Sequence, residues 1–331
     1  MSLVSRRVGI ASMTLAVIVF VVLALVAGRV WITPSVLTGA ADNAETALAR
    51  LILVELRMPR AALGLLVGAA LGLCGAVLQG LTRNPLAEPG LLGISSGAAL
   101  GAVIAIYSGI ALQWPLATPL LGLAGAFLTA LLTLALGRGG GMLVLILAGS
   151  AVSGLMLAGT ALALNLAPNP YAAYEISQWL LGSLADKSWD HVLLGAPFIL
   201  VGVALLLGTG RALDALALGE LQARSLGVDL GRLRLRVIVG TALAVGAATS
   251  ITGAIGFIGL VAPHLVRPLV GYEPRRILIP SMLCGAAVLL AADVGTRLLP
   301  LDQELKLGVV TGLVGAPFFI ALVLRLKRTA P

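Results

Sequence analysis

Apolar runs of membrane-spanning length recur from one end of the chain to the other, and this repetition restricts the fold more than any motif does. Polar, proline or glycine breaks divide the chain into candidate spans at 8–28, 59–81, 90–108, 114–136, 142–165, 192–210, 235–254, 256–271, 277–298 and 306–326. A helix needs about 20 apolar residues to cross a hydrocarbon core of roughly 30 Å. All but the short eighth run come close to that length. Only 11% of the residues are charged, with a mean hydropathy of +1.07, whereas soluble domains carry roughly a quarter charged residues. A soluble globule is excluded. The expected fold is an all-α polytopic membrane protein, with about ten transmembrane helices in one domain spanning residues 1–331. Arg6 and Arg7 followed by an apolar run outline a signal peptide, but the run is long enough to span and an uncleaved first helix is expected. Cys74 and Cys284 lie inside apolar runs, where cysteine acts as a small hydrophobe.

Basic residues set the orientation. With the N-terminus inside, fifteen of the 22 Lys and Arg fall on the cytoplasmic side, and seven, Arg29, Arg50, Arg57, Arg60, Lys187, Arg297 and Lys306, fall outside. Both ends are therefore expected in the cytoplasm. Pro59, Pro89, Pro115 and Pro280 mark helix starts, and Gly139-Gly140-Gly141 separates the fourth and fifth spans. Gly64, Gly68 and Gly72, then Gly97 and Gly101, recur at four-residue intervals, a spacing that lets helix backbones approach closely.

Several chemistries find no residues to perform them. His191 and His264 stand apart from other metal ligands. Asp293 is the clear intramembrane carboxylate, and Arg297 one helical turn later offers it an intrahelical partner. Proton or sodium coupling normally needs intramembrane carboxylates. No Gly-Lys dipeptide occurs, so a P-loop is absent. What remains is a permease driven by a separate polypeptide.

The long polar interval Leu213 to Arg236 is the natural contact for such a motor. Glu220 and Arg224 sit four apart on one helical face, with Leu213, Leu216, Ala217 and Leu221 on the other. From spacing alone this is either a solvated loop or an amphipathic helix lying at the membrane surface.

Specific motifs then carry a resemblance. Leu56-Arg57-Met58-Pro59-Arg60, Gly75-Ala76-Val77-Leu78-Gln79-Gly80 and Asn84-Pro85-Leu86-Ala87-Glu88-Pro89-Gly90 occur in the first third. Ala223-Arg224-Ser225-Leu226-Gly227-Val228, Gly256-Phe257-Ile258-Gly259-Leu260-Val261-Ala262-Pro263-His264, Ala292-Asp293 and Gly315-Ala316-Pro317-Phe318-Phe319 follow in order. Together they resemble the FecCD family of ABC importer permeases over nearly the whole chain. The resemblance implies a vitamin B12 permease-like bundle in the bacterial inner membrane that forms a homodimer with a second copy of itself. Two ABC ATPase subunits, which hold ATP and Mg, and a periplasmic substrate-binding protein are the implied partners. No cofactor, no catalytic residue and no nucleic-acid partner is expected for this chain.

The resemblance also assigns sites. Arg57, Arg60 and Arg297, which by charge alone fit headgroup snorkelling, are implied to dock the binding protein. Asn84 and Leu86, otherwise a helix-start turn, with Gly141 and Met142, are implied to form the cytoplasmic gate, although three glycines stand where hydroxyl-bearing residues are expected. Segment 213–234 is implied to couple to the ATPase through Leu218, Gly219, Glu220, Ala223, Arg224, Leu226 and Gly227. Tyr171, Tyr174, Trp179 and Trp189 fit interface anchoring, or a helix in that loop lining the outer vestibule. Breadth of family usage favours a ferric siderophore as cargo, with haem or cobalamin as alternatives. An ion-coupled secondary transporter is the alternative of another class.

Overall fold

The computed structural model describes residues 3–28, 31–32, 44–301 and 303–329; Arg29, counted above among the outer basic residues, falls outside them. Among the described residues every regular element is helical. The spanning helices are α1 (Leu3–Val26), α2 (Thr46–Thr82), α3 (Ile94–Tyr107), α4 (Ala117–Leu136), α5 (Met142–Asn165), α6 (Trp189–Leu207), α7 (Leu230–Thr252), α8 (Ile258–Val270), α9 (Pro274–Leu298) and α10 (Leu307–Thr329). Seven of these are long and apolar enough to cross a membrane alone, and α3, α8 and α10 contribute shorter apolar stretches. Ten crossings would return the chain to the side on which it starts, in keeping with the expected charge bias.

Two expected boundaries move. Pro59 does not open the second span, because the chain is already helical from Ala44 and passes through a π-helical turn at Ile52–Arg57. The charges of Arg50, Glu55 and Arg57 read as a loop in sequence, yet Leu53 and Arg57 are buried against neighbours. Trp189 Nε1 donates to Val54 O in the widened turn at 2.9 Å, giving that carbonyl a partner outside its helix. Pro280 likewise lies within α9, which begins at Pro274.

α2 is the hub of the fold. It packs most extensively against α9 and also meets α6 and α8, while α3, α4 and α5 form a second packed group. Small residues explain both contacts. A Cβ placed on Gly68 would lie 2.6 Å from Gly285 O of α9, and one on Gly97 would lie 2.6 Å from Gly125 O of α4. Only hydrogen fits at such approaches, and packing is what holds helices together in lipid.

The short α8 has 13 residues, about 20 Å of rise, less than the roughly 30 Å core. Its outer end continues as irregular backbone through Phe257, which adopts φ 65°. Irregular backbone near a bilayer must be satisfied by protein. Here Gly253 N donates to Thr249 O at 2.8 Å and Gly256 O accepts from Ile258 N at 2.9 Å, while the neighbouring loop is tied to the ends of α7 and α10 by Ser183 N to Thr252 O at 2.7 Å and Gly308 N to Leu181 O at 3.0 Å. The loop helix anticipated before α6 is present as Pro170–Leu180, capped by Asn169 Oδ1 accepting from Ala172 N.

Candidate docking and coupling sites at the two ends of the bundle

At the outer end the three expected arginines converge from two helices and turn inward. Arg60 on α2 donates to both carboxylate oxygens of Glu304, at 2.7 and 3.1 Å, and its Nε reaches Asp293 Oδ1 of α9 at 2.9 Å. Arg297 lies one turn beyond Asp293, its Nη2 at 3.1 Å from Oδ2, so the intrahelical pair forms as well. That contact is an ion pair without hydrogen-bond alignment. Asp293 is fully buried and thus faces two guanidiniums.

Arg57 and Arg297 perform a second task. Arg57 Nη1 donates to Leu25 O and Val26 O at 3.0 and 2.7 Å, and Arg297 Nη1 donates to Ala24 O at 2.9 Å. These are the orphan carbonyls at the end of α1, where cationic donors are favoured by both hydrogen bonding and the helix dipole. The arginines border a cleft of about 400 Å³ together with Lys187 and Glu304. Burial pushes the Lys187 ammonium down to about 8, helped by Lys306 and opposed by Asp186. Sequence reasoning missed Glu304, since 244 residues separate it from Arg60 and no local pattern announces the pair.

At the cytoplasmic end the polar segment folds into two short surface helices, Gly210–Ala217 and Glu220–Ser225. Gly219 at φ 119° separates them and Gly227 at φ 82° leads into α7, both conformations that favour glycine. Val228 N closes the second turn on Ala223 O at 3.0 Å, and Asp229 Oδ1 caps α7 by accepting from Arg232 N. Leu213, Leu216 and Ala223 are buried against the bundle, while Leu218, Leu221 and Leu226 are 66%, 77% and 64% exposed.

One expectation fails locally: Ala217, the last residue of the first surface helix, is exposed, and the break at Gly219 resets the helical phase so that Leu221 does not share the buried face of Leu213 and Leu216. Glu220 and Arg224 lie on one short helix, as their spacing predicts, but Glu220 finds its ion-pair partner elsewhere. It pairs with Arg234 of α7, 3.3 Å away, while Arg224 stays exposed.

The residues expected at the gate occupy two separate turns. Asn84 Oδ1 accepts from Leu86 N at 2.9 Å, a side-chain turn directly after α2 that Arg83 enters at φ 51°. Gly141 precedes α5 in extended conformation, and Met142 packs partly against the core. The Gly139-Gly140-Gly141 link borders a cleft of about 690 Å³, together with Glu220, Arg224 and Arg234. Arg234, read from sequence only as part of the charge bias, joins the two sides: its Nη1 donates to Gly140 O at 3.3 Å.

Comparisons with known proteins agree with this architecture. The hemin transport system permease HmuU of Yersinia pestis is 39% identical over 283 residues, covering 84% of each chain. The vitamin B12 import system permease BtuC of Vibrio cholerae is 39% identical over 313 residues, covering 92% of this chain and 90% of its own. A solved structure described as an inward-facing conformation of a metal-chelate type ABC transporter superposes with a TM-score of 0.86 at 32% identity, covering 96% of this chain and 98% of its own. The model of the FecCD transport family matches residues 16–325, and this chain, a multi-pass protein of the inner membrane, belongs to that family.

Proposed function

We propose that the chain is the permease of an ATP-driven importer that moves an iron chelate of the ferric siderophore class inward by alternating access. Two copies form the pathway, two ATPase subunits bind beneath, and a periplasmic binding protein delivers the cargo. The observation that carries the reading is the pair of surface helices after α6. Leu213, Leu216 and Ala223 fasten them to the bundle, while Leu218, Leu221 and Leu226 face outward. Exposed apolar side chains on short rigid helices, beside the charged Glu220 and Arg224, are suited to entering a cleft on a soluble partner. ATP hydrolysis then belongs to that partner, since this chain has no P-loop.

Haem or cobalamin is the second reading, favoured by the hemin and vitamin B12 permeases at 39% identity. At the outer end, Arg57, Arg60 and Arg297 serve docking if incoming carboxylates take over contacts now made by Glu304 or by the end of α1. The test is reconstitution of the chain with its ATPase and binding protein in liposomes, followed by uptake from a panel of loaded binding protein. Accumulation of a ferric chelate alone supports the first reading, and accumulation of haem or cobalamin supports the second. If none of them accumulates although the complex assembles, the cargo assignment is wrong.

A further inference from the structure

Arg234, on α7, bridges the second surface helix and the link between α4 and α5 across the cleft that they border. It lies near the start of α7, with its side chain 20% exposed. Nη2 donates to Glu220 Oε1 at 3.3 Å, and Nη1 donates to Gly140 O at 3.3 Å. Glu220 opens the second surface helix, and Gly140 lies at the centre of the link between α4 and α5. A guanidinium is a rigid planar fork, so its two nitrogens hold both partners at a fixed spacing from each other.

The link is built to depend on such a contact. Its three glycines offer no side chain, and a Cβ at Gly139 or Gly141 would meet nothing within 4 Å. Gly139 also turns through φ 77°, which leaves the backbone without the restriction a larger residue imposes. Among the described residues Arg234 supplies the one side-chain hydrogen bond to the link. Both contacts are 3.3 Å, longer than the about 2.7–2.9 Å of ordinary charge-assisted bonds.

We propose that Arg234 is the positioning residue that transmits movement of the Glu220–Ser225 helix to the Gly139-Gly140-Gly141 link. The proposal rests on the reading of that helix as the ATPase contact. On it, the three glycines are a hinge pulled from outside by α7, which explains why the link carries no side chains of its own.

The experiment uses the full complex in liposomes with a Gly141→Cys reporter, a position where a Cβ meets no neighbour. Cys74 and Cys284 are buried and leave the reporter thiol as the reactive one on this chain. Its labelling by a membrane-impermeant maleimide is timed without nucleotide and with ATP trapped by vanadate. The parent should change its labelling rate about tenfold between the two states, within the range of ordinary allosteric coupling. With Arg234→Ala added, the change should fall below about twofold while ATP hydrolysis continues. Arg234→Lys and Glu220→Gln, which keep part of the junction, should fall between and stand in if the alanine variant fails to assemble. An Arg234→Ala response equal to the parent's overturns the proposal, as does loss of hydrolysis in parallel with the response in all three variants. If the parent binds no ATPase, the reading beneath the proposal fails and takes it down, an outcome distinct from both.

Discussion

Asp293 and Arg60 sit 2.8 Å apart at the outer end of the bundle, 233 residues apart in sequence, with the carboxylate fully buried. Through Asp293 and Glu304, Arg60 ties α2 to both ends of the turn between α9 and α10.

Breaking that pair should be costly. Arg60→Ala removes the hydrogen-bonded partner of Asp293 and leaves it only the poorly aligned Arg297, so the cost should approach, without reaching in full, the about 3–5 kcal/mol of a broken buried pair. Arg60→Ala is therefore expected to lower the unfolding midpoint of the detergent-solubilised protein strongly. Glu304→Gln, at a position 30% exposed, should cost about 1 kcal/mol or less after solvent screening. Equal midpoints for the two variants would contradict the arrangement.

Lys187 should titrate early. Its folded pKa of about 8 lies below the ordinary 10.5, so between these values the unfolded chain holds a proton that the folded chain has released. Stability therefore rises with pH across that window and is flat below it. Amine acylation, which needs the neutral form, should reach half its maximal rate near pH 8 at this residue and shift upward in denaturant. A midpoint near 10.5 in the native protein would show that the amine is solvated.

Gly68 should not tolerate a methyl group. Its Cβ would fall 2.6 Å from Gly285 O and 2.7 Å from Ala286 Cα, backbone atoms that move only if α2 and α9 separate. Overpacking of this kind costs about 1–3 kcal/mol, and Gly68→Ala should show it as a lower unfolding midpoint. Gly295→Ala on α9, where nothing lies within 4 Å, is the control and should be nearly silent.

Leu221 should matter to the complex and not to the chain. It is 77% exposed, so Leu221→Glu is expected to leave the isolated permease's unfolding midpoint unchanged while reducing co-purified ATPase by about tenfold or more, as for a contact in the core of an interface. Undiminished ATPase recovery would place the docking surface elsewhere.

The spans were legible because apolar length is a local property, and the glycine spacings because close packing requires small residues at fixed intervals. The helical start of α2 was not legible. Charged residues from Arg50 to Arg57 imitate a loop unless the contacts of Arg57 with the end of α1 and of Val54 O with Trp189 are known. Glu220 shows the same limit: Arg224 is near in sequence, but the turn at Gly227 brings Arg234 to it instead. Motif resemblance marked the family. The junctions at Glu304 and Arg234 come from tertiary proximity that no spacing encodes.

The most direct test of the central claim is the energy source of uptake in liposomes holding the chain, with and without its ATPase, under imposed ATP or ion gradients. The account predicts inward transport of chelate that requires both the ATPase and ATP, stops with vanadate and ignores proton or sodium gradients. Uptake by the chain alone under an ion gradient would contradict it.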